Sequence, residues 1–247
     1  MGSKRGPMWA SAPTALVGSA YEVGKRVPMW GSAVENEGWP PLPEGVLYAM
    51  IGKTRTGGVI MTLREQIAAF RPYNEQEETE RRLMLRYMDT FPDLLTRENE
   101  MAHFTASCWI VNPARTHALM AFHNLYQSWA WLGGHADGEA ELLRVALREA
   151  NEESGIEGAR ALSDGIFSLE ILGVDGHVKR GRYVAAHLHL NCTYLLEADD
   201  RLPIRSKADE NSAVRWIPLD VVEREVREPE MRIVYRKLME KTAARKE

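Results

Sequence analysis

The chain has 247 residues, 45% of them hydrophobic and 27% charged, enough for one well-buried domain with attached material but too few for two full-sized enzymatic domains. Its charges nearly cancel to a formal -4, which removes any global pull toward a nucleic-acid polymer or an anionic membrane. The two cysteines support neither a disulfide framework nor a thiolate metal site, no apolar run suggests a membrane span, and the basic N-terminus lacks a secretory apolar stretch, so a cytoplasmic protein is expected.

Residues 1–60 carry scattered Pro, Gly, Ser and Trp without a helix or strand period, and are expected to be a disordered or wrongly assigned N-terminal extension. Within them Lys4–Ala12 returns almost intact as Lys25–Ala33, whereas a solenoid needs at least about three stacked repeats. Gly57-Gly58 stands shortly before Met61, and adjacent Gly codons can spell a ribosome-binding sequence, so Met61 is expected to be the natural start. The intact mass of the natively expressed protein checks this, and a species beginning at Met1 refutes it. The rival expectation is a disordered tail that repeats a Pro-Met-Trp ligand motif.

Residues 61–100 read as a small helical arm. Thr62-x-x-Glu65 has the form of a capping box that opens a short helix with Leu63, Ile67 and Phe70. Asn74-x-x-Glu77 opens a longer one with Leu83, Met84, Tyr87, Met88 and Phe91, stopped by Pro92. From 101 to 247 strands and helices succeed one another. Phe104–Val111 and Ala118–Phe122 form a hairpin around Asn112-Pro113-Ala114-Arg115, and Ser128–Leu132 is a short strand running into Gly133-Gly134. Leu169–Val174 and Tyr183–Leu196 are strands around the basic turn His177–Arg182. Val214–Ile217 is another, Pro218 opens a helix, and an amphipathic helix after Pro229 shows Met231, Val234, Leu238 and Met239 on one side. That order predicts an α/β (α+β) layered domain with a mixed sheet.

The chemistry lies between the Ser128 and Leu169 strands. Gly133-Gly134-His135-Ala136-Asp137 reads as a glycine loop, with Asp137 expected to cap a helix whose buried side is Leu142, Val145, Ala146 and Ala150 and whose end is a left-handed Gly155. Glu149, Glu152 and Glu153 stand at i, i+3 and i+4 and share one helical face. Like charges so placed repel by on the order of a few tenths of a kcal/mol per exposed pair. A divalent cation reverses that cost, and Mg2+ prefers such oxygen ligands. The same residues also suit a solvated helix face with an Arg148–Glu152 pair. At about 5–7% per residue type, however, five fixed positions ending in glycine arise by chance about once in a million starts. The arrangement therefore reads as a bracket for a metal-bound diphosphate.

This stretch resembles the Nudix box, whose pattern is Gly, five residues, Glu, seven residues, Arg-Glu, an aliphatic, any residue, Glu-Glu, any residue, Gly, an aliphatic. Arg148, Glu149, Glu152, Glu153 and Gly155 stand at its positions, and its first glycine falls on Gly134. Its first Glu falls on Ala140, a departure, and the flanking Glu139 or Glu141 is expected to supply that supporting carboxylate. The wider run from about Thr62 to Lys241 is similar to bacterial Nudix proteins with a short helical N-terminal extension. The resemblance implies a Nudix-type α/β/α sandwich and hydrolysis of a diphosphate bond in a nucleoside diphosphate linked to another moiety, or in a similar small metabolite. It also implies Mg2+ as cofactor, with Mn2+ as a substitute, and makes a homodimer reasonable. By it Glu152 and Glu153 are the leading metal ligands, Glu149 is a ligand or general base, and Arg148 orients the carboxylates.

Gly133, Gly134 and His135 line the loop and are expected near substrate. A further Glu often assists in this family, and Glu210 is the position expected for it, against a plain polar loop. His187 and His189 alternate along a strand and so point to one face, a spacing that suits substrate or metal, although two His without a third ligand are more often packed residues. Lys179, Arg180 and Arg182 suit phosphate oxygens or merely a soluble turn, and Trp129 and Trp131 read as core. Two other functions stay open. Isomerisation of an allylic diphosphate needs a protonating Cys and Glu, for which Cys108 alone stands; a ligand-binding regulator without hydrolysis has Ala140 and the helical arm for it and the intact acidic trio against it.

Overall fold

The structure, a computed structural model, describes residues 53–56, 59–179, 181–207 and 211–245, with side chains from Met61 onward. Both copies of the repeated unit, most of the expected extension, Arg180 and Glu210 lie outside the described residues. A ribbon of β1 (Lys53–Thr56) and β2 (Val59–Thr62) leads into α1 (Leu63–Ala69). Thr62 caps α1 as its spacing predicts: its hydroxyl accepts from the Glu65 N–H, and the Glu65 carboxylate accepts from the Thr62 N–H. Asn74 caps α2 (Glu75–Thr90) by accepting from the Glu77 N–H, while the Glu77 carboxylate turns back to the Tyr73 N–H.

Next come β3 (Ala102–Val111), β4 (His117–His123), β5 (Ser128–Ala130) and β6 (Leu132–His135). The strand expected over Ser128–Leu132 breaks at Trp131, whose N–H donates to the Tyr235 hydroxyl rather than to a neighbouring strand. After α3 (Leu142–Ser154) follow β7 (Arg160–Ala161), β8 (Ser168–Val174), a ribbon of β9 (His177–Lys179) and β10 (Arg182–Val184), then β11 (His187–Glu197). Tyr183–Leu196 is therefore two strands, because β10 pairs with β9 and β11 with the main sheet. The chain closes with β12 (Asn211–Pro218), a 3-10 turn at Leu219–Val221, α4 (Val222–Glu225) and α5 (Pro229–Ala244).

The main sheet runs β12-β4-β3-β11-β7, with β5 on β4, β6 on β3 and β8 on β11. It is mixed: β3 and β11 are parallel, with His103 opposite His189, and the other pairings are antiparallel. Alternation along β3 feeds two cores. Phe104, Ala106, Cys108 and Ile110 pack with Leu190, Cys192 and Tyr194 under Leu63, Ile67, Met84 and Met88 of the arm and Val145, Ala146 and Ala150 of α3. On the other face Trp109, Val111 and Leu195 pack with Met120, Ile217 and, from α5, Tyr235 and Leu238. Helices on both sides of a mixed sheet make the expected α/β/α sandwich. Burial of each large side chain contributes about 1.5–3 kcal/mol.

The α5 face of the sheet is only partly apolar. Thr105 and Ser107 both donate to Asn191 Oδ1, and Asn191 and Thr193 donate to Glu170. Lys237 of α5 reaches the Glu170 carboxylate at 2.9 Å and that of Glu77 at 3.2 Å, and Lys241 reaches Glu77 at 2.7 Å. Glu77, Glu170 and Lys237 are buried, so the charges offset one another in the interior.

Candidate active site

The helix that carries the acidic turn starts later than expected. Asp137 adopts φ +45° and pairs with Arg97 at 2.8 and 3.0 Å, so it does not cap α3; the helix begins at Leu142 after Glu141, with no side-chain cap. The reason is the turn at Asp137-Gly138, where Gly138 sits at φ +91° and the carboxylate is drawn to the guanidinium. The other end matches expectation, since Gly155 takes φ +63° and its N–H bonds Asn151 O.

Leu142, Val145, Ala146 and Ala150 form the buried side of α3, which turns the three glutamates toward the glycine strand and the solvent. The Glu149 side chain is 13% exposed. A Cβ at Gly134 would lie 2.6 Å from both its Cδ and its Oε1, so the carboxylate rests where any other residue would carry a side chain. Burial raises the Glu149 pKa, the Arg148 hydrogen bond at 3.3 Å opposes the rise, and the Glu152 charge adds to it. Glu152 is 48% exposed, with Arg148 Nε and Lys207 Nζ each at 3.9 Å. Glu153 is 5% exposed; one oxygen accepts from the Gly133 N–H at 2.9 Å and the other from Asn211 Nδ2 at 3.1 Å. One helical turn thus presents carboxylates in three environments, and Glu153 fastens the helix to the glycine strand. The donor set is hard oxygen, and the mutual repulsion of Glu149 and Glu152 is what a divalent cation would relieve, so these residues fit Mg2+ or Mn2+.

Ala140, where the box pattern has its first Glu, is 3% exposed within the first core. Glu139 and Glu141 lie 3.7 and 3.5 Å from Arg144, and Glu139 also accepts from the Glu141 N–H. Cys108 is fully buried, its thiol donates to Leu132 O at 3.2 Å, and burial pushes its pKa well up. A thiol so enclosed gives isomerisation no support.

Four histidines meet on the α5 face of the sheet. The β3–β11 register sets His103 opposite His189, and the β3–β6 register sets His135 opposite Thr105, the next position on that face. Spacing along the sequence points to His135, His187 and His189 but not to His103, which the parallel β3–β11 register brings to them. Ring centroids lie 5.1 Å apart for His103–His135 and His103–His189, 5.0 Å for His135–His189 and 4.9 Å for the stacked His103–His187 pair. Burial, with the other rings adding, lowers the pKa of His135 to about 4 and of His189 to about 2. Lys179 and Arg182 sit on the exposed β9–β10 ribbon.

Comparison with known proteins bears on the same region. A family profile described as NUDIX domain matches residues 101–240. None of the curated protein sequences matches the chain. Among solved structures, an Ap4A hydrolase binary complex from C. elegans aligns with TM-score 0.44 and 19% identity, over 57% of this chain and 98% of that one. RenU, a Nudix hydrolase from M. smegmatis, aligns with TM-score 0.42 and 18% identity, over 59% and 88%. The dihydroneopterin triphosphate pyrophosphohydrolase of E. coli gives 0.43 and 14%, over 55% and 94%.

Proposed function

Because the chain belongs to the NUDIX domain family, which its match over residues 101–240 shows, we propose that it hydrolyses a diphosphate bond in a nucleoside diphosphate derivative or a similar small phosphorylated metabolite, with Mg2+ as its ion and Mn2+ as a substitute. The observation that carries the reading is the seating of Glu149 on Gly134 together with the bond from the Gly133 N–H to Glu153. Acidic turn and glycine strand are thereby one rigid bracket. Glu149, Glu152 and Glu153 would hold the ion, whose charge offsets that of the diphosphate oxygens and the leaving group.

The chain's own residues supply position and proton handling. Arg148 steadies Glu149 and lies near Glu152. Glu149, whose burial favours its protonated form, is the group assigned to take the proton of the attacking water. Glu153 fixes the loop, and the missing side chains of Gly133 and Gly134 let the paired strand and the Glu149 carboxylate close on the backbone. The test is product release from a panel of nucleoside diphosphate derivatives, with Mg2+ present or removed. Ion-dependent turnover of at least one member is expected, falling at least about a hundredfold in Glu152→Gln. A chain inert toward the whole panel, or equally active with Gln at 152, refutes the proposal.

A further inference from the structure

We infer that His103, His135 and His189 form a binding site for a divalent transition metal of the zinc type, separate from the acidic turn of α3. The three rings come from β3, β6 and β11 and offer nitrogens that all lie within 4.8 Å of one another, the one such group of three or more ligating side chains among the described residues. Tetrahedral bonds of about 2.1 Å would space such donors about 3.4 Å apart, so side-chain rotations of roughly an ångström close the site.

A second observation points to a ligand independently of that spacing. His103 is 4% exposed; its Nδ1 lies 3.0 Å from Asn99 O, while its Nε2 is buried without a hydrogen-bond partner. The carbonyl takes the Nδ1 proton, so Nε2 holds a lone pair facing no donor. Leaving such a buried acceptor unmet is unfavourable. A cation meets it, and a carbonyl on the far nitrogen is what orients ligating histidines in metal sites. His187 closes one side, stacked on His103 and with its Nε2 3.2 Å from that of His189.

The donors also choose the metal. No carboxylate belongs to the cluster, and imidazole alone suits Zn2+, Co2+, Ni2+ or Cu2+ far better than Mg2+. Nor do the two sites share a donor. Glu149 meets the strand at Gly134, and the alternation of β6 sends His135, the next residue, to the opposite face.

The experiment uses the full chain, stripped with chelator and then titrated with Co2+ in a large excess of Mg2+. Bound metal is counted after gel filtration, and the visible spectrum reports the coordination. One Co2+ per chain is expected, with the intense absorption of four-coordinate cobalt, and the Glu149→Gln/Glu152→Gln double variant should keep both. His103→Asn and His189→Asn should each weaken binding at least about tenfold while melting cooperatively without metal. Should either fail to fold, His135→Asn, whose ring is not fully buried, carries the test. A wild-type chain that leaves the column without cobalt overturns the inference. So does cobalt that is lost from the glutamate variant yet retained by the histidine variants.

Discussion

Replacing Gly134 by alanine isolates the contribution of the Glu149 carboxylate's position. Gly134 is not among the glycines with positive φ, so an alanine backbone is unstrained and the whole perturbation is one methyl group. That carbon would lie 2.6 Å from Glu149 Cδ, where carbon atoms settle at about 3.5–4.0 Å, so the carboxylate must retreat by roughly an ångström. The obstacle is the far end of a flexible side chain. Stability should therefore change by less than about 1 kcal/mol, while misplacing a reacting group by about 1 Å lowers turnover on the order of a hundredfold. Gly133→Ala makes the opposite case. Its Cβ would meet Ala106 O at 2.5 Å and Ser107 Cα at 2.8 Å, backbone atoms of the paired strand that cannot swing aside. A loss of about 1–3 kcal/mol in folding stability is expected there. Urea unfolding and Mg2+-dependent turnover measured on the same preparations separate the two. Wild-type turnover in Gly134→Ala would refute the assignment of Glu149, and wild-type stability in Gly133→Ala would refute the steric reading of the strand.

Other outcomes follow from the same contacts. Glu152→Gln, at an exposed position, should leave the melting temperature unchanged while abolishing most turnover. Glu153→Gln should do both kinds of damage: its two oxygens accept from Gly133 and Asn211, an amide nitrogen would face one of those donors, and about 1–3 kcal/mol of stability should vanish in denaturant titrations. Glu77→Gln removes a charge shared by Lys237 and Lys241 in the interior, at a cost on the order of 3 kcal/mol by urea unfolding; a loss under about 1 kcal/mol would show that Glu170 alone suffices. The pH dependence has a definite sign. Burial alone would raise the Glu77 pKa, but Lys241 and Lys237 outweigh it and hold the value below 4.5. A carboxylate with a lowered folded pKa contributes stability above its unfolded value, lost as pH falls through the folded one. Burial lowers the Lys241 pKa, and the Glu77 carboxylate opposes that shift. Wild type should thus lose stability below about pH 4.5 more steeply than Glu77→Gln, and parallel curves would refute this.

Local signals were legible in the sequence. Thr62 and Asn74 announced their helices because a cap is decided by four consecutive residues, and the periodicity of α3 gave its buried side, its glycine stop and the shared face of Glu149, Glu152 and Glu153. Distant partners were not legible. Trp131 interrupts an apparently continuous strand because a tyrosine more than a hundred residues later takes its N–H. Asp137, a reasonable cap by type and place, went to Arg97 of the preceding loop instead. His103 joined the other histidines through a parallel pairing register that no periodicity encodes. Lys237 occupies an amphipathic helix whose expected stripe includes the buried Leu238 but not the fully buried Tyr235, and its counter-charges lie on β8 and α2.

That last arrangement bears on where the folding unit begins. The family match opens at residue 101, after both arm helices, yet the carboxylate shared by Lys237 and Lys241 is lent by α2. A chain begun at residue 101 would strand two ammonium groups beside a single remaining acid and uncover the floor on which Met84 and Met88 rest. The arm therefore behaves as a keystone, and its removal should turn a cooperative melt into a loose, dye-binding state.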